Sequence, residues 1–150
     1  MPSTYTIVLE ISEQYNALLY GGIIMKGDFG KFIEQRRKSL GITLRGLAAE
    51  LGIAPAFMSD IEKGNRYPPN KDKLYHMATV LKLSEEETST MFDLAAGERE
   101  NTISPDLPEY IMSNDKVRAA LRLARDRENS DAIWQKVIDM LEDDEEKAES

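Results

Sequence analysis

The sequence predicts an all-α protein in which five helices are followed by two more helices near the C-terminus. Apolar residues recur three and four positions apart in each predicted helix, as they do on the buried face of a helix. Residues that favour helix ends, chiefly Ser, Thr, Asn, Asp and Gly, lie between these segments. Residues 6–11 have strand propensity, but a lone strand beside helices has nothing to pair with. An all-α fold is therefore expected.

Residues 1–24 do not fit the helical pattern, and we expect them to form a poorly structured N-terminal extension. Two interpretations are open. The codons of Gly21 and Gly22 can contain the bacterial ribosome-binding sequence GGAGG at a suitable distance from Met25, so translation could begin at Met25. Alternatively, the segment is an N-terminal arm that is disordered or loosely docked. Native peptides from upstream of Met25 would exclude the first interpretation.

The first helix is predicted to run from Asp28, as its cap, to about Leu40, and Gly41 breaks it. Its apolar stripe consists of Phe29, Phe32 and Ile33. Its last turn carries three cations: Arg36, Arg37 and Lys38. These suit the C-terminal end of a helix dipole, and they are expected to form a solvated face.

Residues 43–61 predict two short helices joined by a tight turn. Thr43 can cap the first of them, and Leu47 and Leu51, four apart, form its apolar face. Ala48 is small enough to let the next helix cross close by. Gly52 falls where the helix must end and the chain must reverse, a position that often needs positive φ.

The third helix is predicted to begin near Ala54, with Pro55 in its first turn, where a missing N–H does no harm. Met58 and Ile61, three apart, form its buried face. This arrangement is the pattern of a DNA-binding helix-turn-helix, whose second helix lies in the major groove.

Residues 29–82 resemble the Cro/repressor-type (XRE) helix-turn-helix family, whose common form reads roughly LAxxLGxSxxxISxIExGxRxP. The matching positions are Leu47, Ala48, Leu51, Gly52, Ser59, Ile61, Glu62, Gly64, Arg66 and Pro68. The resemblance implies a five-helix lambda-repressor-like DNA-binding domain, over residues 25–97, and a homodimer on double-stranded DNA. It also offers phosphate contact as a second interpretation of the cations that end the first helix.

The resemblance also implies which residues face DNA. Base-facing positions are Pro55, Ala56, Phe57 and Asp60, a set without the usual Arg–guanine or Gln–adenine pairs. Phosphate or loop contacts are expected from Thr43, Arg45, Ser59, Lys63, Asn65 and Arg66, with Arg66 the strongest candidate. Leu44 stands where many members have a phosphate-binding Gln. Glu62 is expected to form a structural ion pair, and Phe57 to be either a thymine-methyl contact or partly core.

Two further helices complete the predicted domain. The inner face of the fourth consists of Leu74, Met77, Ala78 and Leu81. The fifth opens with a capping box formed by Ser84 and Glu87, and Gly97 is expected to stop it. Its apolar residues are Met91, Phe92, Leu94 and Ala95.

Residues 98–113 contain two prolines and are predicted to be a linker, and residues 114–150 a helical pair with an acidic tail. One helix is expected from about Lys116 to Arg127 and another from Ser130, with residues 142–150 fraying. These helices either complete the core of the domain or bind a second copy or another protein. Trp134 would then be a plausible interface anchor.

Composition excludes several classes of site. There is no Cys, and His76 is the one His, so thiolate chemistry and His-rich metal sites are excluded. No phosphate loop, metal-ligand spacing or nucleophile–base pair is present, so no cofactor, metal or enzymatic activity is expected. No apolar run is long enough to span a membrane, and no secretory signal precedes the domain, so a cytoplasmic protein is expected.

The net charge of −8 is unevenly distributed. Residues 26–82 hold 11 Lys+Arg and 6 Asp+Glu, a net of +5, whereas residues 83–150 hold 8 and 19, a net of −11. The basic charge therefore lies on the segment that would meet phosphate. We expect a sequence-specific transcriptional regulator, most simply a repressor. The alternative is an antitoxin or immunity-type protein that binds a partner through its C-terminal helices and regulates its own operon.

Overall fold

The computed structural model describes residues 24–100 and 102–149, and the secondary structure of these ranges is entirely helical. Their contacts divide the chain into two compact units, one up to Pro108 and one from Glu109. The all-α prediction is confirmed. Residues 1–23, and with them the two interpretations of the N-terminal extension, lie outside the described residues.

The described part of the first unit contains five helices around one core: α1 Asp28–Ser39, α2 Leu44–Leu51, α3 Pro55–Glu62, α4 Lys71–Val80 and α5 Glu85–Gly97. The side chains predicted to be apolar stripes converge in the core. Its largest fully buried members are Phe29, Phe32, Ile33, Leu47, Met58, Ile61, Leu74, Met77, Leu81, Met91, Phe92 and Leu94. The five-helix arrangement expected from the sequence is therefore confirmed.

Several predicted helix ends are confirmed. The Thr43 hydroxyl accepts from the Gly46 amide at 2.9 Å, and Gly52 ends α2 in the left-handed conformation. Ser84 and Glu87 form a reciprocal capping box, in which each side chain accepts from the backbone amide of the other residue at 3.1 Å. These contacts are local in sequence, which is why sequence alone predicts them.

α5 ends at Gly97 as predicted, but not because Gly97 adopts the left-handed conformation. Gly97 is its last helical residue and has no positive φ, and Glu98 follows in helical conformation. The absence of a side chain serves packing instead, because a Cβ at Gly97 would collide with Ile24.

The predicted cap of α1 is also wrong. Gly27 occupies the cap position with φ 93°, and Asp28 is the first helical residue. The free amides at this end are satisfied from far along the chain. Glu98 Oε1 accepts from the amide of Gly27 at 2.9 Å and from that of Phe29 at 3.4 Å. A carboxylate suits the positive end of the helix dipole, so Glu98 stabilises α1 as a cap would.

Part of the predicted linker is folded onto the first unit. Glu98 and Ser104 are buried, and the Ser104 hydroxyl donates to the Asp93 carboxylate. The guanidinium of Arg99 lies 4.0 Å from the centre of the Tyr67 ring. The last residues of the predicted linker form a short helix, α6, at Pro108–Ser113.

The second unit is a helical hairpin of α7 Asp115–Arg125 and α8 Ser130–Glu149, which pack against each other. Asn114 caps α7, and Asn129, with φ 64°, lies in the turn before α8. α7 ends two residues before the predicted Arg127. α8 continues to Glu149, so the predicted fraying of residues 142–150 is wrong within the described range. Glu, Lys and Ala, which favour helices, make up much of this segment.

Few side chains of the hairpin are buried. Among the described residues 109–149, Ala124 alone is buried, and no residue of α8 is. Large apolar side chains that remain exposed are Leu121, Leu123, Ile133, Ile138, Met140 and Leu141. Little of the apolar surface of α7 and α8 is therefore buried between these two helices.

Candidate nucleic-acid interface

The turn between α2 and α3 sets the angle between these helices. Gly52 adopts φ 66° and ψ 35°, and the Ile53 amide donates to the Ala48 carbonyl at 3.0 Å, which closes the end of α2. Ala54 is extended, and Pro55 begins α3 with its φ already fixed. Ala48 is fully buried, and its small side chain leaves room for α3 to cross closely.

α3 has a buried side and an accessible side. Met58, Ile61 and Glu62 point into the first unit. The ten residues expected to contact DNA all remain exposed or half-buried: Thr43, Arg45, Pro55, Ala56, Phe57, Ser59, Asp60, Lys63, Asn65 and Arg66. The fold therefore leaves accessible the residues that the sequence singled out and buries the framework around them.

A family model described as helix-turn-helix matches residues 33–87, from within α1 to the first turn of α5. Residues 33–87 are a helix-turn-helix domain of the XRE family. The resemblance of these residues to Cro/repressor-type proteins is confirmed, and the match supports a DNA-binding helix-turn-helix regulator in general. No curated protein and no solved structure matches the chain.

The best candidate for phosphate contact in the helix-turn-helix domain, Arg66, lies against α3. Its Nε is 3.4 Å from Asp60 Oδ2, and its guanidinium carbon lies 4.8 Å from the centre of the Phe57 ring. Both charged side chains are about half exposed, so the ion pair contributes little, on the order of 0–1 kcal/mol. The contacts direct Arg66 over the accessible side of α3 without fixing it there.

Two more cations lie nearby. Arg45 on α2 and Lys63 at the end of α3 are exposed, and neither forms an ion pair within residues 24–100 or 102–149. The Thr43 hydroxyl accepts the cap hydrogen bond and keeps its own proton, which can be donated to a phosphate oxygen. Asn65 is exposed, and its backbone N–H donates to the Asp60 backbone carbonyl at 2.8 Å. This hydrogen bond tightens the loop that carries Arg66.

Two apolar residues of the interface pack partly on the core. Leu44, at the position where many relatives carry Gln, and Phe57 are both half-buried and touch the core cluster. Phe57 is therefore partly core, one of the two roles left open by the sequence, and its ring also faces Arg66, whereas the thymine-methyl contact stays a prediction.

Two of the three cations that end α1, Arg36 and Arg37, are not part of a solvated face and are not free for phosphate. Arg37 is buried, and its Nε and Nη2 both lie 2.8 Å from Glu62 Oε1, while Nη1 donates to the Ile42 carbonyl at 2.9 Å. The predicted structural ion pair of Glu62 is thereby present. It joins the C-terminal end of α3 to α1 and to the loop before α2.

Arg36 is also buried, and it joins α1 to the segment after α4 and to α5. It donates to the carbonyls of Leu81 and Lys82 at 2.9 Å and 2.7 Å and pairs with Glu87 at 2.9 Å. The expectation for Arg36 and Arg37 was therefore wrong. Lys38 alone of the three is exposed, and it pairs with Glu34.

A sequence signal for these two buried arginines did exist. Arg36 and Arg37 follow Phe29, Phe32 and Ile33 at the spacing of the same helical stripe, so the periodicity already directed them inward. The expectation of a solvated face followed from their charge instead, because Arg is rarely buried unless it is paired.

Gly30 is a further residue that the sequence did not single out. A Cβ at this position would lie 2.6 Å from the Ile61 carbonyl oxygen and would also collide with that of Glu62. α1 thus approaches the backbone at the end of α3 as closely as a glycine permits. Together with the pair of Arg37 and Glu62, this contact holds the recognition helix, α3, on α1.

The described part of the chain contains no cluster of His, Asp and Glu that could hold a metal ion. Among the described helices, none is long and apolar enough to cross a membrane.

Proposed function

We propose that the protein is a transcriptional repressor that inserts α3 into the major groove of double-stranded DNA and acts as a homodimer. The observation that carries the proposal is the two-sided character of α3, in which Met58, Ile61 and Glu62 are buried while its five candidate contact residues stay accessible, as do the other five beside it. In a helix-turn-helix domain this side of the second helix meets the base edges.

The accessible residues divide into two kinds of contact. Arg45, Lys63 and Arg66 supply positive charge for phosphates, which position a protein on DNA without reading sequence. Pro55, Ala56 and the exposed part of Phe57 offer apolar contact to thymine methyl groups. Direct readout is therefore weak in hydrogen bonds, and the shape and deformability of the DNA contribute part of the specificity.

Asp60 has a separate effect in this mechanism. Its carboxylate repels phosphate, and it holds Arg66 weakly in the free protein at 3.4 Å. A DNA phosphate that binds Arg66 must first displace Asp60, and this competition weakens non-specific DNA binding. Asp60 can then accept a hydrogen bond from a cytosine amino group where the sequence places one. Repression follows from occupancy alone, since a protein bound over a promoter blocks the polymerase.

The proposal is tested by selecting bound fragments from genomic DNA with the full chain. The affinity for the enriched sequence is then measured by fluorescence anisotropy at several salt concentrations. We expect one enriched palindromic sequence and a linear fall of log K with log salt, with a slope of about −0.9 for each phosphate contacted. Absence of an enriched sequence, or an affinity independent of salt, would contradict the proposal.

A promoter fused to a reporter and carrying the enriched sequence tests the sign of regulation. Expression of the protein should lower reporter output, and a variant with Lys63→Ala and Arg66→Ala should restore it. Lys136→Ala, which removes a cation from α8, is the matched control and should leave repression intact. An increase in reporter output would show that the protein is an activator.

A further inference from the structure

The hairpin of α7 and α8 carries an apolar groove that its own side chains do not fill. A cavity of about 230 Å³ opens between the two helices, and its walls include Leu123, Ile133, Trp134 and Val137. Leu123 is 63% exposed and Ile133 is 38% exposed. A two-helix hairpin that buries a single alanine has little to hold it together in water, so these side chains need a covering surface.

The two helices of the hairpin carry opposite charge. α7 holds four Lys+Arg and one Asp, a net of +3, and α8 holds two Lys and eight Asp+Glu, a net of −6. On α7 the arginines lie on one side, at positions 118, 122 and 125, while the apolar residues occupy the remainder. α7 is therefore positive overall and α8 negative overall, and each carries exposed apolar side chains.

We propose that a second copy of this chain covers the groove, so that the two hairpins form a four-helix bundle. A two-fold interface places the same surface of both copies in contact. If α7 met α7, the arginines would repel each other, and the carboxylates would repel each other if α8 met α8. The arrangement in which α7 of each copy lies on α8 of the other matches positive with negative twice and buries both grooves.

This inference deepens the proposed function, since it identifies the surface that joins the two copies. It rests on the proposed homodimer and not on DNA binding, so each can fail independently. In the assembled protein the bundle would tether two helix-turn-helix domains, and a two-fold operator would mirror its symmetry.

The test is sedimentation equilibrium of the full chain without DNA, together with the fluorescence of Trp134, the one Trp in the sequence. We expect a dimer, and a shift of the Trp emission to longer wavelength on dilution, because dissociation exposes the groove to water. A protein that remains monomeric at high micromolar concentration would overturn the inference and would favour another protein as the occupant.

A pair of variants locates the interface. Leu123→Asp should raise the dissociation constant of the dimer by roughly tenfold or more, since a charge would enter the apolar contact. Met112→Asp is the matched control, because Met112 is 68% exposed on α6 in the same unit and lies outside the groove. Circular dichroism checks that both variants keep their helices. A dimer unaffected by Leu123→Asp would overturn the assignment, as would equal weakening by Met112→Asp.

Charge reversal tests the pairing of α7 with α8. Arg122→Glu alone should weaken the dimer, because a new carboxylate would face the acidic α8 of the other copy. Mixing this variant with a second one carrying Asp139→Lys and Glu142→Lys should give a tighter hetero-association than either variant forms with itself. Equal or stronger self-association of Arg122→Glu would show that like helices pair and would contradict the proposed arrangement.

Discussion

Replacement of Glu62 by Ala should strongly destabilise the helix-turn-helix domain, although Glu62 is buried and is not one of the proposed DNA contacts. Its carboxylate lies 2.8 Å from both Nε and Nη2 of Arg37, and the two side chains are only 4% and 9% exposed. Removing the carboxylate leaves a buried guanidinium with one remaining partner, the Ile42 carbonyl. Loss of one member of a buried pair costs about 3–5 kcal/mol, a large share of the roughly 5–15 kcal/mol that stabilises a domain.

A second ion pair, which lies on α1 as Arg37 does, provides a matched control. Glu34 and Lys38 lie 2.7 Å apart on α1, with side chains that are 39% and 64% exposed. The distance is as short as in the buried pair, but water screens the charges and solvates whichever side chain remains. Glu34→Ala should therefore cost about 0.3–0.5 kcal/mol. Burial, and not distance, decides the difference between the two substitutions.

The assay is urea unfolding of the full chain followed by far-UV circular dichroism, with anisotropy on DNA at a temperature where the variant is still partly folded. A Glu62→Ala loss close to that of Glu34→Ala would refute the reasoning. The double variant Arg37→Met with Glu62→Leu should regain most of the lost stability, because no unpaired charge stays buried. DNA affinity should follow the folded fraction in each variant, since neither Arg37 nor Glu62 touches DNA in the proposed complex.

Three further changes test the interface and its support. Arg66→Ala should weaken binding to all DNA sequences and reduce the salt slope by about 1; an unchanged slope in anisotropy titrations would show that Arg66 contacts no phosphate. Asp60→Asn should tighten binding to non-specific DNA at low salt, because a repulsive charge and the partner of Arg66 are both removed, and weaker non-specific binding would contradict that role. Gly30→Ala should destabilise the domain in urea by about 1–3 kcal/mol, because its Cβ would lie 2.6 Å from the Ile61 carbonyl oxygen; wild-type stability would mean that α1 can shift away from α3.

The parts of the fold that were predictable from sequence are those decided by neighbours in the chain. The cap by Thr43, the left-handed Gly52 and the capping box at Ser84 all depend on residues within a few positions of one another. The buried stripes of the five helices follow from spacing alone. Once the buried side of α3 is assigned from this spacing, its other side is predicted to be accessible.

The parts that were missed depend on residues far apart in the chain. The amides at the start of α1 are satisfied by Glu98, 71 residues from Gly27, so a capping rule that examines only neighbours assigned the cap to Asp28. Arg37 pairs with Glu62, and Arg36 donates to the carbonyls that follow α4. Neither contact can be predicted before the fold is known. An ion pair was predicted for Glu62, but the sequence did not indicate that Arg37 would be its partner, or that Glu87 would pair with Arg36.

Self-association and DNA binding are coupled energetically in the proposed mechanism. Each copy offers few cations to DNA, chiefly Arg45, Lys63 and Arg66, because Arg36 and Arg37 are used inside the domain. Residues 83–150 add a net charge of −11, which opposes the approach to phosphate. A single domain would then bind DNA weakly, whereas two tethered domains make the second contact intramolecular and can gain 10²–10⁴-fold or so in avidity. Leu123→Asp should therefore weaken binding to a palindrome far more than binding to an isolated half-site. Equal losses on both DNAs would show that the hairpin does not join the two domains on the operator.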